Sequence, residues 1–238
     1  MGRLIYSNLL AAIFLLIGVS CQSIDKKITV RHAGALKTIM SGNIEPVISL
    51  DSLRNKKNLY ALGAVESLKG EIQIFDSEPH NSSVVDGNIN LQDSYNIKAS
   101  LLVYAEVEEW EEFIITGSTK EELEQSIFET AKSNGLNIEQ PFPFLLDGLV
   151  TSLDWHVIDW PEGDTVHSHE KHKQSGISGN LTNREVMIIG FYSSKHKAVF
   201  THHTTNIHMH FKTYDNSIAG HVDDLITHAT ITLKLPKQ

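Results

Sequence analysis

The chain has 238 residues, 41% hydrophobic and 21% charged, with a formal net charge of −9 and a pI of about 5.8. That length accommodates one large domain or two small ones, with a substantial buried core. An acidic balance with no long basic run argues against nucleic acid or an anionic membrane surface as the main partner.

Residues 1–21 read MGRLIYSNLLAAIFLLIGVSC. Arg3 is followed by an apolar run over 9–19 and then by small residues, the layout of a secretory signal too short for a comfortable membrane span. Gly18-Val19-Ser20-Cys21 resembles a bacterial lipobox, although leucine is more usual where Gly18 stands. The alternative is an ordinary signal peptide with an incidental cysteine. Cys21 is the only cysteine, so no disulfide is expected. The expected location is outside the cytoplasm: lipid-anchored to the cell envelope through Cys21, on the periplasmic or extracellular face, or secreted. Residues 22–28 read as a tether. Residues 29–238 read as the folded domain, with two sub-sheets at roughly 29–140 and 141–238.

A short helix is predicted over 34–40, stopped by Ser41-Gly42-Asn43. Glu71-Ile72-Gln73-Ile74-Phe75 alternates polar and apolar, which predicts a half-buried strand with Glu71 and Gln73 on one face. Residues 100–107 form another predicted strand. The clearest helix is 119–133. Ser118 and Glu121 make a capping box, Leu123, Ile127 and Ala131 fall on one face, and Gly135 ends it. A strand is expected over 149–158, a long polar loop over 159–183, and a buried strand over 186–192. Strands at 207–211 and 220–226 flank a turn at Asp215-Asn216-Ser217. The class is mixed α+β, strands dominating.

The stretch HMHFKTYDNSIAGH, residues 208–221, carries three of the chain's 13 histidines. Side chains two apart on a strand share a face, so His208 and His210 point one way and Met209 and Phe211 the other. If the strands on either side of the turn pair directly, His221 returns beside them and three imidazoles converge. Neutral imidazole binds zinc and other divalent first-row metals, and three protein ligands leave a coordination position open. A histidine-rich edge hairpin without metal remains open as the alternative.

The segment 190–225 resembles the C-terminal core of the α-acetolactate decarboxylases. It is matched by Gly190-Phe191, by His208-Met209-His210-Phe211, and by Gly220-His221-Val222 with Asp224. The stretch LGAVESLKGE (62–71) resembles the family's Leu-Gly-Thr-Phe-x-x-Leu-Asp-Gly-Glu. PFPFLLDG (141–148) resembles its Pro-Phe-Tyr-Ala-Ile-Arg-Ile-Asp-Gly. The resemblance covers most of residues 29–232. It implies a mixed sheet beside a smaller antiparallel barrel-like sheet with a few helices, the metal lying in the cleft between them. It implies a zinc lyase, one divalent metal per chain, converting 2-acetolactate to acetoin and carbon dioxide. It carries the zinc ligands onto His208, His210 and His221 and the catalytic glutamate onto Glu71. The partner is then a small 2-hydroxy-3-keto acid; a homodimer is the assembly considered. Three departures stand out: Ala64 replaces a threonine, Leu145 replaces an arginine, and the sequence ends at Gln238 where the family carries a second glutamate. They keep two alternatives open: a metal lyase acting on another 2-hydroxy-3-keto acid, and a non-catalytic metal- or ligand-binding lipoprotein.

Lys195 and Lys197 are candidate substitutes for the missing guanidinium, although a solvated turn is the simpler reading. His167, His169 and His172 suggest a second metal site or an exposed loop. His202 and His203 precede the metal strand and are candidates to line the cleft. His156 reads as a structural or cleft residue. Asp223 and Asp224 either orient a ligand imidazole or face water. Trp110 and Trp155 read as packing residues.

Overall fold

The computed structural model describes residues 28–228 and 230–238; the expected leader and most of the tether lie outside them. Among the described residues no helix is long and apolar enough to cross a membrane. Eight strands build the first sheet: β1 (Arg31–Ala33), β2 (Ile48–Ser49), β3 (Leu59–Val65), β4 (Glu71–Phe75), β5 (Glu78–Pro79), β6 (Asn81–Val85), β7 (Asn88–Gln92) and β8 (Lys98–Glu106). Their order is β1-β8-β3-β4-β6-β7, with β2 on β8 and β5 on β4. Six more build the second: β9 (Trp110–Thr116), β10 (Phe142–Val157), β11 (Ile177–Tyr192), β12 (Ile207–Thr213), β13 (Ala219–Thr227) and β14 (Thr230–Pro236). Here the order is β11-β12-β13-β10-β14-β9, and β11 also pairs with β10, closing β10 to β13 into a ring.

This is the expected α+β architecture, with one correction of detail. Pairing between strands is antiparallel throughout, in the larger sheet as well, where mixed pairing was implied. β9 and the helix after it precede residue 140 yet belong to the second sheet.

Three apolar clusters hold these layers. Ile72 and Ile74 of β4 face outward from the first sheet, under Leu50, Leu53 and Tyr95. The opposite face of that sheet packs Leu62, Leu101 and Val103 against Ile189 and Phe191 of β11. Inside the ring, Phe144, Met209, Phe211 and Val222 pack with Leu123, Ile127 and Ala131 of the long helix. Because both faces of the first sheet are covered, β4 is buried along its whole length rather than half-buried.

α1 (Leu36–Met40) and α2 (Lys120–Ser133) fall within the predicted ranges, the first ended by its Ser41-Gly42-Asn43 stop and the second set by its periodicity. The α2 cap lies one residue later than expected: Thr119 accepts from the Glu122 N–H, and the Glu122 carboxylate reaches back to the Thr119 and Ser118 amides. Thr119→Ala is expected to cost about 1 kcal/mol, read as a lowered denaturant midpoint.

The loop predicted over 159–183 is a loop only in part. α3 (His169–Gln174) sits inside it, and residues 177–183 extend β11 along β10. Local sequence does not propose a strand there; sixteen-residue β10 offers an unpaired edge that recruits one. Gly190 is required by this pairing, because a Cβ there would lie 2.1 Å from Cζ of Phe144 on the facing strand.

Candidate metal centre

Antiparallel pairing places His210 directly opposite His221, and His221 directly opposite His156 of β10. Three adjacent strands therefore present one histidine each at a single level. His208 stands two residues along β12 on the same face, while Met209 and Phe211 enter the ring core as strand alternation requires. Gly220 makes the close approach: a Cβ there would sit 2.7 Å from the His156 carbonyl oxygen.

One nitrogen each from His208, His210 and His221 falls in a cluster spanning no more than 4.8 Å. The ring centroids are 5.1, 5.1 and 5.3 Å apart. Hydrogen bonds fix two tautomers. His208 Nδ1–H donates to the Phe200 carbonyl at 2.7 Å. The Gln73 amide group donates to the His80 carbonyl and to Ser82 Oγ, so Gln73 Oε1 is left to accept from His210 Nδ1–H at 3.1 Å. Both rings therefore turn an unprotonated Nε2 into the cleft. His210 Nε2 is buried with no hydrogen-bond partner, a costly state for a polar atom unless a ligand satisfies it. Burial, and then the neighbouring imidazoles, hold His208 and His210 well below the ordinary histidine range. Burial also lowers His221 to about 4. Three neutral, converging imidazoles are the donor set of a divalent first-row metal, so the residues present fit such an ion.

Asp223 reaches the same histidines because of a β-bulge. Asp154 pairs with Asp224 and Trp155 with Val222, which leaves Asp223 as the extra residue on β13. Its carboxylate lies 3.0 Å from His156 Nδ1 through each oxygen and 3.4 Å from His221 Nδ1. Burial alone would raise the Asp223 pKa, but the contacts to His156 and His221 hold it well below the usual carboxylate range. Burial likewise opposes charge on His156; Asp223 and Glu71 override it, and the net shift is upward. His156, His221 and Asp223 form a second cluster with metal-ligand spacing. Asp223→Asn, which keeps shape and removes charge, is expected to weaken metal affinity roughly 10–100-fold by loosening the His221 ring. Competition with a chromogenic chelator measures it.

Glu71 enters from the other sheet. It is 4% exposed, its Oε1 accepts from the Ile158 N–H at 3.3 Å, and its oxygens lie 3.7 Å from His156 Nε2 and 3.8 Å from His210 Nε2. Burial raises its pKa to about 7. A carboxyl group poised near neutrality beside metal-type ligands is suited to proton transfer.

These groups line a cavity of about 640 Å³ between the sheets. Ala64 lies on its wall, paired across β3 and β4 with Glu71. Leu145 does not line it; it is buried in the apolar layer between the sheets, so its side chain leaves no gap in the cleft. The residue of β10 that does reach the cleft is His156. Lys195 pairs with Glu139 at 2.7 Å, and neither it nor Lys197 reaches the cavity, whose lysines are Lys120 and Lys173. The run 167–172 is split. His167 contacts His172 and stacks on Trp160, whereas His169 meets His202 across the cavity mouth. Among the described residues these histidines form no three-ligand group. His203 is exposed, and Trp155 packs in the ring core. His156 as a cleft residue and Asp223 as a support for a ligand imidazole were both expected alternatives; their contact with each other, the support that Gln73 gives His210, and Lys120 were not, because each depends on residues remote in the chain.

The family model described as alpha-acetolactate decarboxylase matches residues 31–237. Among solved structures, alpha-acetolactate decarboxylase from Bacillus subtilis strain 168 superposes with a TM-score of 0.71 at 17% identity, covering 88% of this chain and 86% of that one. Acetolactate decarboxylase from Bacillus subtilis subspecies spizizenii gives 0.71 at 18% identity, with the same coverage. A Staphylococcus aureus protein of unknown function, described as similar to alpha-acetolactate decarboxylase, gives 0.68 at 13% identity, covering 86% and 84%. No curated protein matches by sequence. With a family model spanning nearly all of the described residues, the chain belongs to the alpha-acetolactate decarboxylase family.

Proposed function

We propose that the chain is a metal-dependent carboxy-lyase that converts 2-acetolactate to acetoin and carbon dioxide. The observation that carries this reading is the meeting, in one cavity, of three neutral imidazoles from the ring sheet and a carboxyl group from the other. His208, His210 and His221 would hold the ion, with zinc the expected metal. When bound, the metal supplies Lewis-acid stabilisation of the negative charge left as carbon dioxide departs. Glu71 in its neutral form carries the proton that the carbanion carbon must receive: the bond to the carboxylate breaks, its electron pair stays on the substrate, and the Glu71 O–H supplies H⁺. Solvent then reprotonates Glu71. Asp223 holds the His221 and His156 rings, and Gln73 holds His210. The leader motif supports export of this activity to the cell envelope, anchored through Cys21.

The test is acetoin formation from racemic 2-acetolactate by the zinc-loaded chain, with and without a chelator. Chelator-sensitive acetoin supports the reading; a metal-loaded chain that forms none overturns it. A second reading, a lyase for a larger 2-hydroxy-3-keto acid, is favoured by one feature. A cavity of about 640 Å³ lies within the range that encloses drug-sized ligands.

A further inference from the structure

Lys120 is the first residue of α2 and lines the cavity. It is partly buried, and its ammonium donates to the backbone carbonyl of Asp223 at 2.8 Å. No carboxylate of the described residues lies within ion-pair distance of it. Of the four acids whose charges bear on it, Glu121 is its neighbour in the chain and also lines the cavity, and the other three are engaged elsewhere. Glu124 accepts from Thr205 Oγ1 and from the Asn206 amides. Asp224 accepts from the Leu225 N–H, and Asp223 binds His156 and also lies 3.6 Å from Lys173. A lysine ammonium has three donors, so two remain for the cavity. Burial disfavours this charge more than the surrounding carboxylates offset it, and an anion brought into contact with its free donors relieves it. The position is also close to the proposed metal ligands: the Lys120 charge bears on both His208 and His221.

We propose that Lys120 receives the carboxylate of the bound acid. This rests on the hydroxy-keto acid reading above and adds a residue that the family resemblance did not supply. The carboxylate lies at the α2 end of the cavity against Lys120, and the hydroxyl and keto oxygens lie toward the three histidines. Because the negative charge leaves the carboxylate as carbon dioxide forms, Lys120 acts on recognition of the acid more than on the chemical step, so its loss raises KM more than it lowers kcat.

Calorimetry on the zinc-loaded chain tests this with two probes: 2-hydroxyisobutyrate, a hydroxy acid without the keto group, and acetoin, which lacks a carboxylate. Lys120→Met is expected to weaken the acid roughly 30-fold while acetoin changes by less than about 3-fold. Lys120→Arg is expected to restore most of the loss, and Lys195→Met to behave as the parent. Zinc content and Tm, measured alongside, confirm that the Lys120→Met chain is folded and loaded. If that variant binds the acid as tightly as the parent, or loses both probes equally, the assignment of Lys120 is overturned and the decarboxylase reading stands. If the parent binds neither probe, both are overturned.

Discussion

His208→Ala is expected to remove the metal and all chelator-sensitive lyase activity while leaving the fold intact. The side chain lies on the cleft face of β12, not in the ring core, so its truncation leaves Met209 and Phe211 packed as before. Loss of the Asp223 carboxylate, which only orients a ligand, is put at 10–100-fold in affinity; loss of a ligand should exceed about 100-fold. Thermal unfolding gives a second readout. A ligand that binds only the native state at roughly 1,000 times its Kd stabilises by about 4 kcal/mol, or roughly 10 °C for a chain of this size. The parent should show that rise on adding zinc and the variant should not. An equal rise in both would remove His208 from the ligand set.

Glu71→Gln is expected to retain metal and lower kcat roughly 10²–10⁴-fold, the usual worth of a positioned proton donor. The pH dependence has a definite sign. With its pKa raised to about 7, Glu71 is neutral below that value and ionised above it. A role as proton donor therefore gives a rate that falls as pH rises through 7. A bound divalent cation favours the carboxylate and moves that limb lower, so the expected limb lies at or below about 7 and is absent in Glu71→Gln. Stability should move the same way. A carboxyl group whose pKa rises on folding contributes stability below its unfolded value of 4.5, and that stability is lost as pH climbs toward 7. At pH 8 the cost in the metal-free chain is up to about 3 kcal/mol. Metal-free Glu71→Gln should accordingly melt above the parent at pH 8 and close to it at pH 4. A kcat unchanged within a few-fold would leave Glu71 a structural residue.

The histidine hairpin was legible because strand geometry is local: period-two alternation and a short polar turn suffice to bring His210 opposite His221. α2 was legible for the same kind of reason, though not to the residue, since Thr119 and Ser118 are chemically equivalent as caps. Glu71 is different. Its strand reads as half solvent-facing, and only the resemblance marked it. The structure buries it because a second sheet covers that face, a fact no window of local sequence contains. The extension of β11 through residues 177–183 was missed because the partner strand, not the segment's composition, makes it a strand. Leu145 drew attention as the place of a lost guanidinium, yet β10 carries it into the apolar layer and brings His156 into the cleft eleven residues later. The Asp223 bulge, which joins His156 to His221, has no sequence signature.

The most direct test is anomalous X-ray scattering from zinc-soaked crystals, recorded at the zinc edge. The expected result is a single strong peak about 2.0–2.1 Å from one nitrogen each of His208, His210 and His221, with the Glu71 carboxyl beside its open side. A peak held instead by His156, His221 and Asp223, or no peak within the cleft, would contradict it.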